Sequence, residues 1–456
     1  MPTPNAHRLL AILALICQLP YSLQQDEPEE QHGHTHDLDP MIFTDFAATD
    51  EPIGSIMTLH LASMILAFGI IYPIGMVLGL VKSRWHVPVQ VLGSLVFVGG
   101  FFLAHAHSGR NYEPHNAHRG FAWFVVWSLV AQVAMGFYLK LHLEKGIHGR
   151  IRSLFVTAHR WLGILVPVIG YTQIVLGVIA IVGFCYGEHT GQCLAHFIMG
   201  SSFAGYGIIM LISLRVGGPW LLKRKRSQEW YDSWMITLWG IVNTFTEHRW
   251  GSNWNSSDYQ HTSMGIIWVA AGTVGIWLSR NEQRSVVPSL VIALTAAAFQ
   301  GHAQHVANSG HIHSFFGYML MAGAISRIVE ICFVWKKGVF TISPWQYMPP
   351  MFLMMAGVIF MGATEQQLSL LATIGIDPAS YINVLLSFAF FLFLYTNILL
   401  GLWERLSGYD NQATTEGYTE VEREELHDGA SFLEDDEDDY TKEHNALALG
   451  SLRQRD

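Results

Sequence analysis

Four histidines in apolar surroundings, His60, His86, His118 and His159, are the residues of this chain best placed to do chemistry. Two of them belong to a repeat: Ala117-His118-Arg119 opens one apolar run and Ala158-His159-Arg160 the next. Fourteen residues after each histidine stands a glutamine, Gln132 and Gln173, and four further on a glycine, Gly136 and Gly177, at a constant offset of 41 residues. Consecutive spans run in opposite directions, so the repeated histidines lie at opposite membrane faces and cannot serve one site. Each needs a partner at its own depth. His60, near the start of the first apolar span, matches His118, and His86, at the start of the second, matches His159. His105 and His107, at the far end of the second span, are rival partners at the His118 level. Two imidazoles facing one another inside an apolar helical bundle are a ligand set for a b-type haem, whose saturated iron exchanges electrons without binding oxygen. At about 1.5 Å rise per residue the two levels come on the order of 20 to 30 Å apart, so a stacked pair would carry electrons across a bilayer.

The elements that must position these side chains are membrane helices. Hydrophobic residues make up 51% of the 456 residues and charged residues 14%, with a mean hydropathy of +0.28, which excludes an ordinary soluble enzyme. The net charge of −10 arises mostly in QQDEPEE near the start and TEGYTEVEREELHDGASFLEDDEDDY near the end, so nothing points to nucleic acid. Residues 1–24 read as a signal peptide, with an apolar run from Leu9 to Leu19 too short to span, and 25–52 as a disordered lumenal segment. Eleven spans are expected, at 55–81, 89–106, 119–140, 156–183, 195–216, 231–248, 262–279, 286–305, 312–335, 346–363 and 381–403. The fold class is therefore all-α and polytopic, in two bundles, 53–216 and 217–403, followed by a disordered acidic tail at 404–456.

Orientation follows from charge. One set of loops holds Lys82, Arg84, Lys140, Lys145, Arg150, Arg152, the Lys223–Arg226 run, Arg280, Arg284, Lys336 and Lys337; the other holds Arg110, Arg119, Arg249 and little else. The basic set reads as cytosolic, which makes the amino terminus lumenal and the carboxyl terminus cytosolic, in the secretory or endomembrane system or at the cell surface. Two features agree: the glycosylation sequon Asn255-Ser256-Ser257 and the pair Cys185 and Cys193, which can close a small disulfide, both fall in expected lumenal loops. Cys332 reads as a packing thiol within a helix.

The second bundle has its own histidines. Glu247 and His248 close one span, His261 opens the next, His302 and His305 close another, and His311 and His313 open the one after it, all at the expected lumenal face. Imidazoles with one carboxylate are ligands suited to a transition-metal ion, for which His248, His261, His302, His305 and His311 are the candidates; a hydrated polar cap at helix ends is the other reading. The HGHTH stretch from His32 to His36 reads as a solvated tail with loose metal affinity.

The span LHLASMILAFGIIYPIGMVLGLVKSRW, with its histidine, its Pro-x-Gly and its basic end, resembles the first core helix of the cytochrome b561 superfamily. AHRGFAWFVVWSLVAQVAMGF and AHRWLGILVPVIGYTQIVLG resemble the third and fourth, while the second departs from the pattern, with His86 at its very edge and Pro88 behind it. The whole chain is similar to the fungal Ytp family of multi-spanning membrane proteins. The resemblance implies His60, His86, His118 and His159 as ligands of one or two haems b. It also implies an anionic cytosolic donor such as ascorbate, with Lys82, Arg84, Arg150 and Arg152 as its basic rim, and a lumenal acceptor such as ferric iron or monodehydroascorbate. The rival classes are a metal-binding or transport protein using the lumenal histidines and a non-enzymatic scaffold whose acidic tail recruits partners.

Overall fold

The structure is a computed structural model that describes residues 52–106, 112, 116–143, 145–185, 187–246, 248, 251, 253–254, 256–300, 309–335 and 342–409. The expected signal peptide, all but Pro52 of the segment 25–52, the sequon asparagine Asn255, His107, Glu247, His302, His305 and the tail from 410 onward lie outside these residues.

Among the described residues all regular structure is helical: α1 (Ser55–Leu80), α2 (His86–Ala106), α3 (Ala117–Lys140), α4 (Ile147–Val182), α5 (Thr190–Arg215), α6 (Gly218–Arg224), α7 (Gln228–Thr246), α8 (Ser256–Leu278), α9 (Val287–Gln300), α10 (Ser309–Val334), α11 (Met348–Met361), α12 (Glu365–Thr373) and α13 (Pro378–Ser407). Eight of these, α1 to α5, α8, α10 and α13, are long and apolar enough to cross a membrane. A ninth span arises if the pair ending in α11 and α12, bent by 71°, is counted as one. The two other expected spans fall on α7, which carries Glu229 and Asp232 in its first turns, and on the shorter α9. Large apolar side chains point outward, among them Phe102, Trp127, Phe137 and Phe391, each about two-thirds exposed. That surface is the one hydrocarbon covers in a membrane protein.

The ends of the helices are written locally. Asn116 caps α3 by accepting from Arg119 N at 2.9 Å, Thr364 and Gln367 form a capping box before α12, and Asp377 accepts from Ser380 N at 2.9 Å with Pro378 in the first turn of α13. Gly183 ends α4 in the left-handed region at φ 81°, where a side chain would be strained. One boundary differs from expectation: α4 begins at Ile147, nine residues before the apolar run at 156. Its first turns carry Arg150 and Arg152, and Arg152 Nη1 donates to Leu139 O at 2.9 Å, so the basic stretch is docked as helix on the end of α3. His159 is thereby more than three turns inside α4 and not at its start. A 36-residue helix is about 54 Å long, well beyond the ~30 Å hydrocarbon thickness, so those extra turns belong outside it.

A π-helical stretch, Ile65–Ile71, interrupts α1. Pro73 follows it and supplies the cause: it has no N–H to give Gly69 O, and its ring crowds that carbonyl, so the turn before it widens. Tyr395 Oη of α13 donates to Ile70 O, within this stretch, at 2.9 Å.

By contacts the chain divides into two compact units. The described parts of the first are 52–208, Ala296–Met321 and Pro350–Tyr409; those of the second are Ile209–Thr295 and Ala322–Pro349. In the first, Ala67, Phe68, Tyr72, Val125, Leu129 and Val166 form a core between α1, α3 and α4, with Phe68 so close over Gly170 that no side chain fits there. Cys185 and Cys193 are disulfide-bonded.

In the second unit α7 and α8 touch backbone to backbone: a Cβ on Gly240 would lie 2.8 Å from Gly265 O. This is the small-residue contact that lets membrane helices approach without a hydrophobic driving force. The same unit buries an ion network. Arg327 Nη2 lies 2.7 Å from Glu229 Oε1 and 3.8 Å from Asp232 Oδ2, its Nη1 lies 2.5 Å from Glu330 Oε2, and Arg284 Nε lies 2.6 Å from Glu229 Oε2. Gln346 Nε2 donates to Glu330 Oε1 at 3.3 Å. Glu330 begins a second π stretch, Glu330–Val334, where Cys332 faces outward; the expected packing thiol is exposed because that wider turn places it on the outer surface. Arg327→Met leaves three carboxylates against one guanidinium, and the change costs about 3 to 5 kcal/mol. The detergent-solubilised variant should therefore melt well below wild type; an equal melting temperature would show the network to be dispensable.

Candidate functional site

The four histidines of the first unit come together as two facing pairs. The His60 and His118 ring centroids are 6.4 Å apart with planes at 79°, and those of His86 and His159 are 6.3 Å apart at 89°. Helix α1 is thus paired with α3 and α2 with α4, as the alternation of span direction requires. His60 is buried and the other three are half-buried. His105 is exposed and its Nδ1 bonds to Phe101 O of its own helix, at 2.9 Å, so it is not part of either pair.

What aims the rings is the hairpin partner of each helix. His60 Nδ1 donates to Gly100 O of α2 at 2.8 Å, and His86 Nδ1 donates to Gly75 O of α1 at 2.8 Å. In the second hairpin His118 Nδ1 donates to Gln173 O of α4 at 3.1 Å, and the Gln173 amide returns a bond to His118 O at 3.0 Å. Gln132 Nε2 donates to His159 O at 3.0 Å in the mirrored arrangement. A proton held on Nδ1 by a carbonyl fixes the tautomer and turns Nε2 toward the facing helix, the second-shell arrangement of imidazole ligands.

The repeat noticed in the sequence now has a physical content. Gly177 makes room for the His118 ring and Gly136 for the His159 ring: an added Cβ would lie 3.0 Å and 3.1 Å from the respective Cε1 atoms. Gly79 does the same for His86, at 2.8 Å. The glutamine 14 residues past each histidine lies level with the histidine of its hairpin partner, which sets the two levels about 21 Å apart along α3. The same spacing governs the first hairpin: Gly100, which accepts from His60, stands 14 residues after His86. Gly75, which accepts from His86, stands 15 after His60, and the π stretch between them absorbs the extra residue. His86, at the edge of its span, reaches its site because its ring folds back over Gly79 onto α1.

Among the described residues no group of three or more His, Cys, Asp or Glu side chains is placed for a metal ion, and two of the five candidates of the second expected cluster lie outside them. His248 and His261 belong to the second unit. His248 Nδ1 lies 3.0 Å from Asp258 Oδ2, with its ring stacked 4.0 Å from Trp254, and His261 O accepts from Asn243 Nδ2 at 2.7 Å. His311 is exposed in the first unit, and His302 and His305 lie outside the described residues. His313 faces His196 of α5, for which a lone histidine at the start of the apolar span 195–216 was the available signal. The partners of Arg327 were also missed, although a guanidinium inside the run 312–335 called for them.

The family model "Protein YTP1-like, C-terminal" matches residues 169–404, and "Domain of unknown function (DUF2427)" matches 41–142. The chain is 41% identical over 290 residues to Protein YTP1 of Saccharomyces cerevisiae, an alignment covering 61% of this chain and 63% of that protein, just under two-thirds of its length. It is 23% identical over 490 residues to the uncharacterized membrane protein C3B8.06 of Schizosaccharomyces pombe, covering 78% of this chain and 94% of that one. A second Saccharomyces cerevisiae relative, the uncharacterized membrane protein YCR061W, is 24% identical over 285 residues, or 49% of this chain and 45% of its own. No solved structure matches. A family match over more than half its length places this polytopic helical membrane protein in the fungal Ytp family.

Proposed function

We propose that the chain is a membrane haem protein of b561-like type that passes electrons from a cytosolic anionic donor, ascorbate-like, to a lumenal acceptor such as ferric iron. The observation that carries this reading is the separation of the facing rings. Two imidazoles bound through Nε2 to one metal at about 2.0 to 2.1 Å place their ring centroids about 6.3 Å apart, against 6.4 and 6.3 Å here. Gln132 Oε1, Gln173 Oε1 and His159 Nδ1 are buried without a hydrogen-bond partner, as polar groups beside a site completed by a ligand often are.

His60 with His118, and His86 with His159, would hold the haems. Bound there, haem b supplies one-electron exchange at an iron with no open position. The chain's own residues orient the imidazoles through Gly100 O, Gly75 O and Gln173 O, keep water away with Phe68, Tyr72, Val125 and Leu129, and leave room at Gly79, Gly136 and Gly177. Lys82, Arg84, Arg150 and Arg152 would form the rim for an anionic donor on the cytosolic side. The charge asymmetry of the loops supports that orientation, with the amino terminus lumenal.

Purified protein should give a dithionite-reduced minus oxidised spectrum of b type with two components. His118→Ala should remove one, and Gly136→Val, which pushes on the His159 ring, should remove the other while keeping the first. Wild type saturated with haemin that shows no such spectrum ends the reading. Orientation has its own check: glycosidase treatment should lower the apparent mass of wild type and leave Asn255→Gln unchanged, and a wild type insensitive to treatment counts against a lumenal Asn255.

A further inference from the structure

Two basic loops of the second unit are joined at one end of it. The Lys223–Arg226 run leads from α6 into α7, and the loop between α8 and α9 carries Arg280 and Arg284. Buried Ser227 donates its hydroxyl to Ser279 O at 3.4 Å, which ties the residue after Arg226 to the residue before Arg280. Arg284 Nε lies 2.6 Å from Glu229 Oε2 in the first turn of α7, so the loops are pinned together twice. That ion pair turns Arg284 inward, while Arg224, Lys225 and Arg280 are exposed and Arg226 is half-buried. Among the described residues of the two loops, Glu282 is the one exposed acid. Cations gathered on one face repel one another, and a bound anion relieves that repulsion.

The aromatic side chains around these loops select which anion. The Arg226 guanidinium lies 4.9 Å from the centre of the Trp230 ring, and that of Arg280 lies 4.5 Å from Trp277. Trp220 packs on Tyr231 at 5.0 Å, and Tyr231 meets Trp230 edge-on at 4.9 Å. Trp220 and Trp277 are themselves 42% and 59% exposed. Exposed Trp and Tyr at the ends of membrane helices sit at the level of the lipid headgroups, which sets these cations among phosphates and not in free water. A guanidinium stacked on a ring keeps its N–H edge open, and that planar fork matches two phosphate oxygens. A free anion has no use for the rings. A phospholipid meets both, its phosphate on the cations and its glycerol and acyl chains on the tryptophans. The charge asymmetry of the loops makes this the cytosolic end, whose leaflet carries anionic lipids.

We propose that this face of the second unit binds the headgroup of an anionic phospholipid of the surrounding membrane, held by Arg224, Lys225, Arg226 and Arg280 and seated against Trp220 and Trp277. The site does not rest on the haem reading. It shares with the proposed function only the orientation, and lipid binding in detergent is measured without reference to that.

The test is native mass spectrometry of the purified full chain in detergent, titrated in turn with phosphatidylserine, phosphatidylinositol and phosphatidylcholine. Wild type should retain the two anionic lipids well above phosphatidylcholine, and the soluble headgroup glycerophosphoserine should not displace them. A cation near the membrane surface contributes about fivefold to such binding, so Arg226→Gln combined with Arg280→Gln should weaken it by about 25-fold. Lys140→Gln combined with Lys145→Gln removes the same charge from a basic loop of the first unit and should leave it unchanged. The comparison of lipids on wild type does not depend on how the variants fold: phosphatidylcholine held as well as the anionic lipids, or displacement by glycerophosphoserine, overturns the proposal. So does anionic-lipid binding undiminished in the arginine pair, or weakened equally by the lysine pair.

Discussion

The arrangement of the first unit depends on one interaction, the hydrogen bond from a histidine Nδ1 to a main-chain carbonyl of the neighbouring antiparallel helix. It occurs at His60, His86 and His118, and in each case the carbonyl belongs to the hairpin partner and not to the helix that presents the facing imidazole. Hairpin partners therefore orient the rings, and the helices across the bundle supply the opposing ones. A carbonyl already engaged in its own helix has a second lone pair to offer, so the bond costs no backbone pairing. Glycine at 79, 136 and 177 is the steric counterpart, because any side chain there would push the ring out of line.

That division of labour makes register the quantity the fold has to conserve. Three of the four helices place the companion residue 14 positions after the histidine, and the fourth needs 15. The π stretch in α1 reconciles them, with Pro73 as its cause and Tyr395 of α13 bonded to Ile70 O within it. A helix outside the four-helix group is thus tied to the geometry of the group. The buried ion network of the second unit follows a different logic. Arg327 of α10 binds Glu229 and Asp232 of α7 and Glu330 of its own helix, and its contribution lies in fixing the mutual position of the two helices more than in net stability.

Much of this was legible in the residues. Alternating span direction fixes depth, so the 41-residue repeat set His118 and His159 at opposite faces and offered His60 and His86 as their partners, with His105 and His107 as rivals at the His118 level. Cys185 and Cys193 were close enough in sequence to be joined. Other features left weaker traces. The early start of α4 escaped a reading based on hydropathy because its first turns are basic, and only the docking of Arg152 on Leu139 O shows them as helix. Pro73 marked a disturbance in α1 without revealing that it takes the form of a wide turn. The pairing of His196 with His313 is a contact between positions 117 residues apart, and nothing local to either announces the other.

The central claim is that both imidazole pairs of the first four helices hold a low-spin iron between them. Electron paramagnetic resonance of the oxidised, purified protein addresses it directly, because the ring planes at 79° and 89° are close to perpendicular. Ferric iron between perpendicular imidazoles should give two strongly anisotropic low-spin signals. A high-spin signal, as from iron with a single protein ligand, or no ferric haem signal at all, would contradict the account.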